Sequence, residues 1–181
     1  MGERALKRAV FLDRDGVINQ AIVRDGRPYP PPSVHELVIN PDAPQAMARL
    51  HDAGFALIVV TNQPDLARGR QTRKNIDEIH AALKSALPLD AIYLCDHDDA
   101  DRCACRKPNP GMLLDAARDF GLDLKQSFLI GDRWRDIDAG ARAGCRTILI
   151  ECGYTDRAPA APPDFTVRTL SEAVDRILTM R

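Results

Sequence analysis

Three features of this 181-residue sequence predict a doubly wound α/β fold, a parallel sheet with helices on both faces. Short apolar runs alternate with segments of helical period about 10–15 residues long. The apolar runs are nearly continuous rather than alternating, as strands buried on both faces require. Three of them break into polar residues, namely Asp13 with Asp15, Thr61 with Asn62, and Asp132. Ligands bind such sheets beyond the carboxyl ends of the strands, so these side chains are expected at one crevice.

The length suits a single domain, residues 1–181, with an ordinary core. Hydrophobic residues make up 45% and charged residues 28%, the balance of a globular protein. The net charge of -1, with no basic stripe, argues against nucleic acid as a partner. No apolar run approaches the ~20 residues of a membrane span, so no membrane partner is expected. The positive start of the chain lacks a signal peptide's apolar stretch and cleavage site, so a cytoplasmic location is expected. Five cysteines then point to metal or thiol chemistry before disulfides.

The first strand is Ala9-Val10-Phe11-Leu12, which runs into Asp13-Arg14-Asp15-Gly16. Strand alternation puts Asp13 and Asp15 on one side, and Gly16 permits the turn. Residues 17–40 carry no clean period. The proline-rich segment from Gly26 to Pro32 reads as stiff and extended, and 17–35 is expected to form a flap over the Asp pair. Asp42 is placed to cap a helix with Pro44 in its first turn. Ala43, Ala46, Met47, Leu50 and Ala53 recur there at helical spacing, and Gly54 stops it. Phe55–Asn62 is the second strand, closed by Pro64. A helix follows from about Thr72 to Ala86, with Ile76, Ile79, His80 and Leu83 on one face. Ala91–Cys95 is the third strand, and a polar, cysteine-bearing loop runs on to Pro110.

Gly111–Phe120 reads as a helix ended by Gly121, and Phe128–Asp132 as the fourth strand. Arg135–Ala143 is a short helix ended by Gly144, and Thr147–Ile150 is the fifth strand. An Ala/Pro-rich linker spans Ala158 to Pro163. Phe165–Val167 is a sixth, edge strand, and Ser171 is placed to cap a last helix reaching Met180. No connection is long enough for a large inserted cap domain.

Asp13, Asp15, Thr61, Asn62, Lys107, Asp132 and Asp136 are thus expected together. Crowded carboxylates resist ionising together, and a hard cation removes that conflict. Mg²⁺ takes oxygen ligands and commonly retains a substrate phosphate. Asp13 and Asp132 are its best side-chain ligands, with the Asp15 carbonyl a further one. One carboxylate is then free to attack phosphorus and form an aspartyl-phosphate that water hydrolyses. The Lys107 ammonium and Thr61 hydroxyl suit the phosphoryl group. Asp15 suits proton transfer to the leaving alkoxide and from the attacking water.

Cys95, His97, Cys103 and Cys105 form a Cys-x-His-x5-Cys-x-Cys pattern. Three sulfurs and one nitrogen suit a closed, structural Zn²⁺ site. The 95–105 loop has little to bury, so a metal would supply its order. It leads directly into Arg106-Lys107 and would fix the lysine. Asp98, Asp99 and Asp101 read as solvated charges, and Cys145 as a small core residue.

Asp13-Arg14-Asp15-Gly16, Thr61-Asn62-Gln63, Lys107-Pro108 and Gly131-Asp132 with Asp136 resemble, in order, the four motifs of the haloacid dehalogenase-like phosphatases. The resemblance covers 9–150 and implies a Rossmann-like fold without a large cap. It also implies Asp13 as nucleophile, Asp15 as acid/base, Thr61 and Lys107 on the phosphoryl group, Asp132 on Mg²⁺, and Asp136 in support. The cysteine loop is similar to that of a zinc-bearing branch. That branch contains the D-glycero-D-manno-heptose 1,7-bisphosphate 7-phosphatases and the histidinol-phosphate phosphatases. Ala67-Arg68-Gly69 resembles the heptose type, which usually carries Ser-Gly where this chain has Pro64-Asp65.

The resemblance implies substrate contacts from Arg68, Arg106, Arg133, Asn62 and Gln63, and more loosely from Asn19 and Gln20. The expected activity is Mg²⁺-dependent removal of the heptose 7-phosphate by a monomer. The alternative is histidinol phosphate or another small sugar phosphate. A non-catalytic metal-binding module and a phosphotransferase are rivals, discriminated by whether phosphate is released to water.

Overall fold

A computed structural model describes residues 7–180. The first six residues and Arg181, which the single-domain reading includes, lie outside the described residues. The strands are β1 (Ala9–Leu12), β2 (Ile22–Arg24), β3 (Arg27–Tyr29), β4 (Ala56–Asn62), β5 (Ala91–Cys95), β6 (Phe128–Gly131), β7 (Arg146–Ile150) and β8 (Phe165–Val167). The helices are α1 (Ala43–Asp52), α2 (Arg73–Ala86), α3 (Gly111–Phe120), α4 (Trp134–Ala143) and α5 (Leu170–Thr179).

Six strands form the main sheet in the order β5-β4-β1-β6-β7-β8, with every pairing parallel. The chain winds outward from β1 in one direction, then crosses back to β6 and winds outward in the other. The order therefore reverses at the β1–β6 seam, where open α/β sheets place their crevice. All four residues of β1 are buried, as its unbroken apolar run demands.

Strand alternation divides the core. Val10 and Leu12 face a cluster with Met47, Leu50 and the α5 residues Val174 and Ile177. Ala9 and Phe11 face Met112, Leu113 and Ala116 of α3 on the other side. Each helix presents an apolar stripe to the sheet, so burial holds the layers together.

Three local expectations are corrected. Asp42 does not cap α1 with its side chain; its Oδ2 accepts from the Ser171 backbone N–H at 2.9 Å, fastening α1 to α5. Thr169, not Ser171, caps α5, its Oγ1 accepting from the Glu172 N–H at 3.1 Å. The Gly26–Pro32 segment is not simply extended. Arg27–Tyr29 pairs antiparallel with Ile22–Arg24, with Val23 opposite Pro28. Proline is tolerated because this ribbon has only two strands and each is an edge. Gln71 and Asn75 donate to the Pro32 carbonyl at 2.9 and 3.3 Å, and Thr155 N–H donates to Gly26 O at 2.9 Å. These bonds lean the hairpin over the strand ends. Among the described residues no large cap is present, and no helix is long and apolar enough to cross a membrane.

Candidate active site

The backbone N–H of Asp13 donates to Ile130 O at 2.9 Å, which holds the residue at the β1–β6 seam. Asp132 leaves β6 beside it. The next turn must pass close by, and Gly16 allows this. Gly16 has φ +90, and a Cβ there would lie 2.0 Å from Asp132 Oδ2. Gly131 has the same steric role for Asp136, whose Cβ would be 2.1 Å from an added methyl.

Lys107 enters from the loop after the cysteines. Its Nζ donates to Asp13 Oδ1 at 2.7 Å, Val60 O at 2.7 Å and Asp136 Oδ1 at 2.5 Å. Asn62 secures the lysine backbone from both sides: its amide donates to Lys107 O and its Oδ1 accepts from Lys107 N–H, each at 3.0 Å. The Lys107–Pro108 peptide is cis. Asp136 Oδ2 also accepts from the Arg133 N–H at 3.1 Å, at the start of α4.

The electrostatics follow from burial. Burial pushes the Asp13 carboxyl up to about 6, against the opposing pull of Lys107 and with help from Asp136 and Asp15. Asp132 is raised well above the ordinary carboxylate range, by burial first and then by Asp13. Burial works against the Lys107 ammonium, but Asp13 and Asp136 outweigh it and its pKa is raised. Neither Asp132 oxygen has a hydrogen-bond partner among the described residues. Ligand oxygens of Asp13, Asp132 and Asp136 lie within 4.8 Å of one another. Since Lys107 and Arg133 already engage Asp136, Asp13 and the unpartnered Asp132 are the pair that could hold a hard divalent cation.

Asp15 lies outside that carboxylate cluster. Its oxygens accept from Arg14, with Arg14 Nη2 at 3.0 Å, from Asn19 Nδ2 at 3.0 Å and from Gln63 Nε2 at 2.8 Å. Gln63 also donates to Thr61 Oγ1 at 3.0 Å. Asn19 and Gln63, expected on substrate, are buried and instead hold Asp15 and Thr61. Gln20 is exposed and does not line the cavity. The Arg14 guanidinium and the Asn19 and Gln63 amides are buried donors, and the half-buried Asp15 carboxylate is the acceptor that offsets their desolvation.

A cavity of about 510 Å³ opens over the strand ends. Asp13, Asp15, Thr61, Asn62, Lys107 and Asp136 lie along it, with Pro64 and Asp65 on one wall. Arg68, Arg106 and Arg133 line it, joined by Arg27, Arg70 and Arg135. The carboxylates of the cysteine loop are not merely solvated. Arg68 forks onto Asp98 at 2.6 Å through both Nε and Nη2, and this holds Asp98 down to about 2. Asp99 accepts from Arg106 Nε at 2.8 Å and Arg135 Nη1 at 3.0 Å, and Arg133 Nε donates to Asp156 at 2.7 Å.

Arg27, Arg70, Arg135 and Asp156 escape the sequence reading. Arg70 and Arg135 each stand two residues from a recognised arginine, which is a weak signal. Nothing local marks Asp156, whose loop returns from beyond β7.

At the end of β5 and in the loop after it, Cys95, His97, Cys103 and Cys105 converge. Cys105 Sγ lies 3.1 Å from Cys95 Sγ, 3.3 Å from Cys103 Sγ and 3.3 Å from His97 Nδ1. All four donor atoms fall within 4.8 Å, a set that could hold zinc. Ala104 O lies 2.3 Å from where a Cβ on Gly111 would stand, so that glycine lets α3 start against the loop. Cys145 is buried, as expected.

A protein of Thermosynechococcus vestitus named D-glycero-D-manno-heptose-1,7-bisphosphate 7-phosphatase is 36% identical over 94% of this chain and 95% of its own length. One from Bordetella bronchiseptica, named D-glycero-beta-D-manno-heptose-1,7-bisphosphate 7-phosphatase, is 40% identical over 81% of this chain and 82% of its own. A family model described as HAD-hydrolase-like matches residues 104–173. The chain belongs to the haloacid dehalogenase-like phosphatases. As a member of that family it is a phosphoric monoester hydrolase. The crystal structure of the Bordetella bronchiseptica D,D-heptose 1,7-bisphosphate phosphatase, complexed with magnesium and phosphate, superposes with a TM-score of 0.78. It is 33% identical, over 96% of this chain and 99% of that one. The sheet order and seam position of this chain are those of a Rossmann-like fold.

Proposed function

We propose that this protein removes the 7-phosphate of D-glycero-D-manno-heptose 1,7-bisphosphate through an aspartyl-phosphate on Asp13. The observation carrying this is the seam geometry, in which Lys107 holds Asp13 while an unpartnered Asp132 stands beside it. Relatives that bear the heptose name and match over most of both chains support the substrate.

A carboxylate oxygen of Asp13 attacks phosphorus, and the bond from phosphorus to the sugar oxygen breaks. Asp15 delivers a proton to that oxygen. A water then attacks the aspartyl-phosphate, gives its proton to Asp15 and releases inorganic phosphate. Lys107 and Thr61 stabilise the phosphoryl oxygens. Asp13 and Asp132 would hold Mg²⁺, which when bound offsets the negative charge of the carboxylates and the phosphoryl group. Arg68, Arg106 and Arg133, with the added Arg135, are anchored on Asp98, Asp99 and Asp156 at the cavity wall, and the positive charge they bring there suits the second phosphate. Cys95, His97, Cys103 and Cys105 would hold Zn²⁺ and keep the Lys107 loop in place. The reading takes residues 1–181 as one monomeric, cytoplasmic domain acting on a small phosphorylated sugar.

The test is phosphate release from both anomers of the heptose bisphosphate, beside histidinol phosphate and fructose 1,6-bisphosphate, with Mg²⁺ and with Asp13→Asn as control. Turnover on one heptose anomer, abolished by Asp13→Asn, is expected. Turnover confined to histidinol phosphate would keep the chemistry and reject the substrate.

A further inference from the structure

Arg14, between the two catalytic carboxylates, points away from the cavity, and its side chain has no solvent exposure. Nε and Nη2 both go to Asp15, with Nε 3.2 Å from Oδ1 and 3.1 Å from Oδ2, and Nη2 3.0 Å from Oδ2. That leaves Nη1, which lies 3.1 Å from His80 Nε2. His80 is on α2, the helix whose Ile76, Ile79 and Leu83 pack into the core.

A guanidinium only donates, so His80 Nε2 must accept, and the imidazole is neutral. Burial, and then Arg14, push its pKa down to about 4, which keeps it neutral at working pH. The charged groups facing it are Arg14 and Asp15 from the end of β1 and Asp77 and Arg73 from its own helix.

The geometry points to His80 as a positioning residue that acts through Arg14 to fix the Asp15 carboxylate. The inference rests on the reading of Asp15 as acid/base. The guanidinium is a rigid plane, so a bond at Nη1 sets the direction of Nε and Nη2. Without His80, a buried charged donor loses its partner and the plane turns to find another acceptor. Asp15 would follow it, while Asn19 and Gln63 continue to hold the carboxylate from their own sides. Asp13 and Lys107 make no contact with this chain of bonds, so nucleophilic attack should be spared.

p-Nitrophenyl phosphate separates the steps, because its leaving group needs no proton. With Asp15→Asn, one enzyme equivalent of nitrophenolate should appear in a burst, followed by turnover at least about a hundredfold slower, since water attack lacks its base. His80→Leu should show the same pattern in milder form: the burst kept, steady turnover down about tenfold, KM falling with it and kcat/KM unchanged, because only the hydrolysis step slows. His80→Gln, whose side-chain oxygen can accept from Arg14, should restore turnover. If His80→Leu does not fold, His80→Ala with added imidazole replaces it, and imidazole should speed the slow phase. Wild-type turnover in His80→Leu, or loss of burst and turnover together, would overturn the inference. Absence of the burst pattern in Asp15→Asn would overturn the acid/base reading and the inference with it. The pattern in Asp15→Asn but not in His80→Leu would overturn the inference alone.

Discussion

Lys107 Nζ lies 2.5 Å from Asp136 Oδ1, and each side chain is only 3% exposed. The same ammonium holds Asp13 at 2.7 Å, so one cation stands between two carboxylates. Deleting one partner of a buried ion pair leaves the other charge uncompensated, at a cost of roughly 3–5 kcal/mol. Lys107→Ala should lose stability on that order in urea titrations and lose turnover by at least about a hundredfold. Asp136→Asn should lose stability but keep part of its turnover, because Asp13 still holds the lysine. Equal turnover losses would show that Asp136 does more than position Lys107.

Gly16 answers two demands at once. Its φ of +90 disfavours a side chain, and an added Cβ would meet Asp132 Oδ2 at 2.0 Å. Gly16→Ala should destabilise by at least about 1–2 kcal/mol. It should also raise the Mg²⁺ concentration needed for half-maximal turnover, because Asp132 must give way. Denaturation and a Mg²⁺ titration measure the two effects separately.

Asp132 is buried with no partner for either oxygen, and its pKa is raised. The folded chain therefore holds that proton more tightly than the unfolded one. Without metal, the contribution of this group to stability is complete below the ordinary value of 3.8 and is lost as pH rises through the raised one. Asp132→Asn should be more stable than wild type by about 1 kcal/mol or more at neutral pH in chelator, and the gap should close in acid. The rise in Tm that Mg²⁺ gives wild type should vanish in the variant.

His80 makes the opposite demand on pH. Its folded pKa of about 4 lies below the ordinary 6.5, so its contribution is complete above 6.5 and is lost as pH falls toward 4. His80→Gln cannot titrate and should flatten the loss of Tm across that window. The effect should be about 1–2 kcal/mol after allowance for the solvated edge of the ring. An unchanged acid limb would show that other groups set it.

Cys103→Ser removes one of four convergent donors and should lower zinc content and turnover together. Zinc analysis beside phosphate release tests this. Full turnover in a zinc-free variant would break the link between the loop and Lys107.

Much of the fold is legible locally. Gly111–Phe120 and Ala91–Cys95 are read from the sequence with the bounds the structure has. Caps are less legible: Asp42 looks like a helix cap yet bonds Ser171, 129 positions away. The hairpin at Ile22–Tyr29 is hidden because its residues are partly exposed and Pro28 interrupts any period.

The sequence by itself determined the parallel sheet, the strands that carry carboxylates at their ends, and the four donors of the cysteine loop. Apolar runs and short spacings report directly on burial and on what can converge within a single loop. Only the tertiary structure decided that Asn19 and Gln63 turn to Asp15, that adjacent Asp98 and Asp99 meet different arginines, and that Arg14 reaches His80. The physical reason is that a buried polar side chain takes whichever partner the stacked elements bring within about 3 Å, and chain order says nothing about that.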